Sequence, residues 1–357
     1  MKCRRACGAV LGVTVMLCAL GVGWSAETRI EAGMAYDNNL FEAPVDPQSG
    51  WISRFYFAYA GDLRKRPRSS VWLRYQVGAK RFWTAERSMS GKFGAVLTNH
   101  LNVTASSRVG RRVRLAGSGV LKVKIVNRVP GEEGYLRGAL EGRLQYVFGQ
   151  GFTSDLYHRF GGHDSRDMRL PEVISNEVGA GIQYGKSRRF RARLTGIWRW
   201  LDYNRAALAV DAGGRIGELS FAQSDLLREI SAGIQLYRGV LVDLVYGFLH
   251  NTSNSYGYSF KAHRMQVLLV RHLGFQFDAQ MLANLQFRRY DDPLVPLPGW
   301  DSEVDEYEQT LLVLKLSRQL TNRLDLSLQY GFSRNGARRT GGFYRKHTSA
   351  ISVAISL

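Results

Sequence analysis

The sequence predicts an all-β protein, a single transmembrane antiparallel β-barrel of about sixteen strands, with fourteen to eighteen as the range. Apolar and polar residues alternate with a period of two over most of the chain. The segments that connect these strands alternate between long and short along the chain. Past residue 26 no run of eighteen apolar residues occurs, so a spanning helix is not available. Such a chain can enter a membrane only as a closed barrel, in which every backbone group is paired.

The first 26 residues have the pattern of a secretory signal peptide. Basic residues precede an apolar run over 6–22, and small residues around Ser25 offer a cleavage site. A retained anchor helix is the alternative. We expect residues 1–26 to be cleaved and residues 27–357 to form one barrel domain. All three cysteines fall within the signal, which excludes disulfides, thiolate metal sites and cysteine nucleophiles from the rest of the chain.

The alternation is clearest in segment 322–334. Leu324, Leu326 and Leu328 share one face of this segment, while Asp325 and Ser327 share the other. Applying the same criterion along the whole chain predicts sixteen strands. Their ranges are about 28–37, 51–62, 69–82, 91–105, 111–125, 134–148, 151–161, 174–185, 189–203, 224–237, 240–251, 257–272, 274–290, 305–318, 322–334 and 343–357.

The joins between these strands predict the orientation of the barrel. Outer-membrane barrels have short periplasmic turns and long external loops. The first join, 38–50, is long, and the second, 63–68, is short. The same alternation continues through the long joins 204–223 and 291–304 to the end of the chain. An even strand count with this phase places both termini in the periplasm.

The basic charge of the chain is predicted to face the interior. Without the signal, 46 Lys and Arg oppose 30 Asp and Glu, a net charge of +16. A Lys or Arg that faces lipid at mid-depth costs about 2–4 kcal/mol, so strand parity must turn most of these side chains inward. The predicted lumen cations are Arg74, Lys80, Arg112, Arg114, Lys122, Lys124, Arg137, Arg143, Arg191, Arg193, Arg199 and Arg288.

Two interpretations of these cations remain open. Acids with the same predicted direction can pair with them and leave a plugged, neutral interior. Segments 69–82, 111–125 and 189–203 have too few acids nearby for full pairing, which favours an anion-attracting wall. No nucleic-acid motif occurs and the charges are spread over many strands, so no nucleic-acid partner is expected. The acids predicted to face inward are Glu141, Asp155, Glu177, Glu229, Asp243, Asp278 and Asp325.

Two short motifs contain residue types that occur in catalytic sites. The segment His250–Asn254 resembles the His-x-Ser-Asn arrangement of outer-membrane phospholipases and lipid A deacylases, but alternation puts His250 and Ser253 on opposite faces. His163-Asp164-Ser165 has the right spacing, but we expect it in an external loop. The acids of 301–308 lack the fixed spacing of a cation-binding loop. We therefore predict no enzyme, no cofactor and no metal site.

The segment from Tyr36 to Phe41, Tyr-Asp-Asn-Asn-Leu-Phe, resembles the start of outer-membrane barrels linked to exopolysaccharide and secretion gene clusters. The alternation of Ile351, Val353 and Ile355 up to Leu357 resembles the C-terminal assembly signal of outer-membrane barrels, although that signal usually ends in Phe or Trp. These porin-like resemblances imply a bacterial outer-membrane location. They also imply contacts with membrane lipid, with the barrel-assembly machinery and with periplasmic export components.

The charge pattern and the resemblance together predict a channel with a basic lumen that passes anionic solutes or an anionic polysaccharide. The alternatives are a general porin, a lipid-modifying acyl hydrolase, and a structural or assembly barrel without transport. The sequence does not indicate an oligomeric state.

Overall fold

The structure is a computed structural model, and it describes residues 26–40, 47–84, 94–129, 134–165, 172–187, 189–292, 309–335 and 344–357. Apart from Ala26, the predicted signal peptide lies outside these residues. The described chain contains sixteen strands. They are β1 (Glu27–Asp37), β2 (Gly50–Lys65), β3 (Ser69–Thr84), β4 (Ala95–Val109), β5 (Val113–Asn127), β6 (Tyr135–Gly149), β7 (Phe152–Ser165), β8 (Val173–Ser187), β9 (Phe190–Val210), β10 (Ile216–Tyr237), β11 (Val240–Ser253), β12 (Phe260–Gly274), β13 (Phe277–Tyr290), β14 (Gln309–Thr321), β15 (Leu324–Asn335) and β16 (Tyr344–Ser356).

The strands form one closed barrel in which each strand pairs with its neighbours in sequence. The last pair closes the ring, because β1 runs antiparallel to β16 with Arg29 opposite Ser356 and Asp37 opposite Thr348. This closure leaves no sheet edge unpaired, as a strand-built membrane protein requires. The predicted all-β barrel of about sixteen strands is therefore confirmed. In the described part of the chain no helix is long and apolar enough to cross a membrane.

β1 begins and β16 ends at the same end of the barrel. The tight turns at this end depend on left-handed backbone conformations. Between β6 and β7, the residues Gly149, Gln150 and Gly151 have φ angles of 98°, 49° and 88°. Glycine adopts these angles without steric cost, which lets two strands reverse within two residues. These short turns mark the periplasmic end, and the longer joins mark the external end.

The hairpin of β9 and β10 differs from the prediction. We expected a loop over 204–223, but β9 continues to Val210 and β10 starts at Ile216. The turn is closed by Asp211, whose Oδ1 accepts hydrogen bonds from the backbone N–H groups of Gly213 and Arg215, both at 2.8 Å. Register shifts in β10 between Glu218 and Ser224 break the period of two, which hid this part of the strand from a parity criterion.

Candidate functional site: the inner wall

The two faces of the barrel wall carry different side chains. Large apolar residues such as Leu140 and Ile230, 68% and 61% exposed, occupy one face, while Glu177 and Glu229 are buried on the other. Exposed leucine and isoleucine suit lipid, so the second face lines the interior. A closed barrel with an apolar exterior places the protein in the bacterial outer membrane.

Eleven of the twelve predicted lumen cations lie on strands, at positions of the inner face. Arg112 does not, because β5 begins at Val113 and Arg112 lies in the turn 110–112. In the strand register Lys122 lies between His100 of β4 and Arg137 of β6, so basic residues are neighbours across three strands. The eleven are Arg74, Lys80, Arg114, Lys122, Lys124, Arg137, Arg143, Arg191, Arg193, Arg199 and Arg288.

The inner face of β3, β4 and β5 forms what we call the basic sector. None of these three strands contains an Asp or a Glu. One inward cation of this sector, Arg108, was not predicted, because the expected strand ended at residue 105 while β4 continues to Val109. The basic sector carries Arg74, Lys80, Arg108, Arg114, Lys122 and Lys124.

Two arginines of the basic sector form hydrogen bonds with neutral partners. The Arg114 guanidinium donates to the hydroxyl of Ser106 at 3.1 Å. With its amide oxygen turned toward Arg74, Gln76 accepts hydrogen bonds from that guanidinium at 2.8 and 3.1 Å. Hydroxyl and amide partners satisfy guanidinium N–H groups without cancelling their charge. The positive charge of Arg74 and Arg114 therefore remains available to ions in the lumen.

Part of the neighbouring wall, from β6 to β9, has arginines and acids in ion pairs. Glu141 accepts hydrogen bonds from Arg143 at 3.1 Å and from Arg159 at 2.5 Å. Arg159 also lies 3.8 Å from Glu177, which binds Arg199 at 2.5 Å. These residues form a row of alternating charge across four strands, which we call the paired sector. With Asp155, which lies 3.8 Å from Arg143, three acids offset its three arginines, and this row matches the alternative of a neutral interior.

Several inward arginines were not among the predicted lumen cations. Arg159 is central to the paired sector, and Arg264 of β12 binds Glu229 at 2.6 Å. Both share the parity of inward polar neighbours in the sequence, so the alternation could have identified them. Of the predicted cations, Arg193 lies 3.9 Å from Asp243, which makes a weak pair at the edge of contact.

The Asp-Asn-Asn motif after Tyr36 joins the first strand to the last. Asp37, 1% exposed, accepts hydrogen bonds from the backbone N–H of Asn39 at 2.9 Å and from Lys346 at 3.1 Å. The side chain of Asn38 accepts a hydrogen bond from the backbone N–H of His347 at 2.7 Å. These bonds close the β1–β16 seam at its external end. Phe41 lies outside the described residues.

The loop after this seam turns onto the inner wall. Leu40, 2% exposed, packs with inward residues of neighbouring strands in an apolar cluster. The cavity beside β1–β4 has a volume of about 400 Å³, and its charged lining residues are Glu31, Arg54 and Lys80. At β1 to β4 the inner wall is thus apolar at its external end and charged at mid-depth. The cluster consists of Ala35, Leu40, Ile52, Phe82, Val96 and Val129.

The two motifs that we predicted not to be catalytic lie on β11 and β7. His250 lies on the outer face of β11 and Ser253 on its inner face, as alternation predicted. His163 to Ser165 form the external end of β7, whereas we expected a loop. The ring of His163 contacts Tyr135 with centroids 5.2 Å apart. Among the described residues no group of three or more His, Cys, Asp or Glu side chains could hold a metal ion.

No protein-family model and no curated protein matches the sequence. Solved structures of low identity share its general shape. A bacterial polysaccharide outer membrane secretin is 9% identical over 93% of this chain and 98% of its own, with a TM-score of 0.45. OccAB2 of Acinetobacter baumannii is 9% identical over 93% and 97%, with a TM-score of 0.48. The outer membrane protein opdK of Pseudomonas aeruginosa is 10% identical over 93% and 99%, with a TM-score of 0.45.

Proposed function

We propose that the protein is an outer-membrane channel whose inner wall favours anions. The observation that carries this proposal is the basic sector, where six inward cations stand on three adjacent strands that contain no acid. Fixed positive charge on a low-dielectric wall raises the local concentration of anions and lowers that of cations. A barrel of sixteen strands is wide enough to enclose an aqueous channel.

The paired sector supports the same function in a different way. With Asp155 included, the three acids and three arginines of the paired sector balance, so this sector adds little net charge. The field inside the lumen then comes from the basic sector and from Arg137, Arg191 and Arg193, which lie on the inner face of β6 and β9 outside the paired sector. Because Arg137 lies beside Lys122 of the basic sector, anions are attracted most strongly on that side of the wall. Many weak sites suit conduction, because the ion or solute must also leave.

The depth of the basic sector favours an extended anion as cargo. Arg114 and Lys124 lie ten residues apart on β5, which is about 33 Å along the strand and about 25 Å along the axis at a tilt of about 40°. That depth equals the apolar band of an outer membrane, about 25 Å. A polyanion is therefore met by positive charge from one mouth to the other. Together with the resemblance of Tyr36–Phe41, this supports export of an acidic polysaccharide.

Flux into liposomes that contain the purified barrel tests the proposal. Glucose and glucuronate are close in size and differ in charge, so they separate electrostatic selection from sieving. We expect glucuronate to enter faster than glucose at low ionic strength, and the difference to shrink at 1 M salt, where screening acts within about 3 Å. Equal rates at low salt would indicate a general porin. No flux of either solute would indicate a barrel without transport.

A further inference from the structure

The outer surface of the barrel carries a second set of basic residues, which we call the outer basic row. Arg228 lies opposite His250, His250 opposite Lys261, and Lys261 opposite Arg289 in the register of β10 to β13. The row therefore runs without interruption across four strands. It shares the outer face with exposed apolar residues such as Phe287.

From the outer basic row to the periplasmic turns, the outward positions of its four strands carry no acid. On β10 to β13 the outward positions over 226–236, 240–252, 261–271 and 279–289 contain no Asp or Glu. The acids within these ranges, Glu229 and Asp243, occupy the inner face, where Glu229 binds Arg264. Arg228, Lys261 and Arg289 are exposed. Neighbouring strands are about 4.8 Å apart, so these cations repel one another unless an anion lies among them.

The position of the row along the barrel identifies the membrane leaflet that it faces. Lys261 and Arg271 share the outer face of β12 ten residues apart, which is about 25 Å along the axis at a tilt of about 40°. Met265, Val267 and Leu269 lie between them. The two cations thus bracket an apolar band of the usual height, about 25 Å. Arg271 is near the short turns, so the outer basic row is at the external edge, where lipid headgroups begin.

We propose that the outer basic row binds the phosphate groups of the phosphorylated glycolipid that forms the external leaflet of the outer membrane. Arginine matches phosphate oxygens with paired N–H groups, and lysine adds a point charge. Four side chains on adjacent strands span about 15 Å, since strands are about 4.8 Å apart, and can contact more than one phosphate. The apolar residues below the row contact the acyl chains of the same lipid.

Glycolipid that copurifies with the barrel in detergent tests this proposal. The test variant changes Arg228, Lys261 and Arg289 to glutamine. The control changes Arg271, Arg318 and Arg323 to glutamine, which removes the same charge at the periplasmic end. An electrophoretic shift between heated and unheated samples shows that each variant has folded. Each cation at an anionic lipid surface strengthens binding about fivefold. We therefore expect the amount of copurified glycolipid to fall far more than tenfold in the test variant. The control is expected to keep the wild-type amount.

A second arm identifies the ligand chemistry. Purified barrel is titrated with the intact glycolipid, with the same glycolipid stripped of its phosphates, and with phosphatidylglycerol in detergent micelles. We expect tight binding of the intact glycolipid alone, and loss of that binding in the test variant. Equal binding of the dephosphorylated glycolipid would overturn the proposal. So would equal binding of phosphatidylglycerol, which would indicate general attraction of anionic lipid, or equal glycolipid content in the test and control variants.

Discussion

Neutralising three cations of the basic sector is expected to remove most of the anion preference. The variant changes Arg74, Arg114 and Lys122 to glutamine, which keeps long polar side chains on the inner wall. A monovalent ion that passes about 8 Å from one unit charge interacts with it by about 0.5 kcal/mol in water. Screening at 0.1 M salt reduces this to about 0.2 kcal/mol, or about 0.7 kcal/mol for three charges. Anions then lose about threefold in occupancy and cations gain as much, so the anion-to-cation permeability ratio falls about tenfold.

The measurement is the reversal potential of single channels in a planar bilayer under a KCl gradient around 0.1 M. The matched control changes Arg81, Arg271 and Arg318 to glutamine. These three residues lie on the outer face. It removes the same net charge from the lipid-facing surface and is expected to keep the wild-type ratio. An unchanged ratio in the lumen variant, or an equal fall in both variants, would refute the assignment of selectivity to the basic sector.

Two further variants test individual contacts. Glu177→Gln leaves Arg159 and Arg199 facing a neutral amide. Because Arg159 is 43% exposed, we expect a loss of about 2 kcal/mol, below the usual cost of breaking a fully buried pair, together with higher anion selectivity. A lower melting temperature with unchanged anion selectivity would mean that the charge of Glu177 does not affect ions in the lumen. Asp37→Ala removes the acceptor of Lys346 at the seam and is expected to cost about 1–3 kcal/mol, measured as a lower temperature of the heat-dependent electrophoretic shift, while selectivity changes little. An unaltered transition would show that the seam does not depend on Asp37.

Much of the fold was predictable because one physical rule governs every strand. Lipid outside and water inside impose a period of two, and this period identified sixteen segments and their inward faces. The rule failed where the environment changes. Beyond the membrane, residues 204–210 and 216–223 no longer have one apolar side, so the sequence there resembled a loop although it forms the β9–β10 hairpin. The segment expected at 91–105 begins with residues outside the described chain and continues as β4 to Val109.

The direction of the charged side chains followed from parity, but their partners did not. Whether Glu141 binds Arg159 depends on the register between β6 and β7, which places these two residues directly opposite each other. Register is set by the turns, and a shift of one residue reverses every pairing. The separation of the inner wall into a basic sector and a paired sector is therefore a property of the folded barrel. The absence of acids from β3 to β5, by contrast, can be read directly from the sequence.

The central claim is that the field of the basic sector makes the lumen favour anions. The sign of the reversal potential of the unaltered barrel, measured across a bilayer with a tenfold KCl gradient, tests it most directly. We expect a potential that shifts toward the chloride equilibrium value and approaches zero as both solutions are raised toward 1 M. A shift toward the potassium equilibrium value, or a reconstituted barrel that does not conduct, would contradict it.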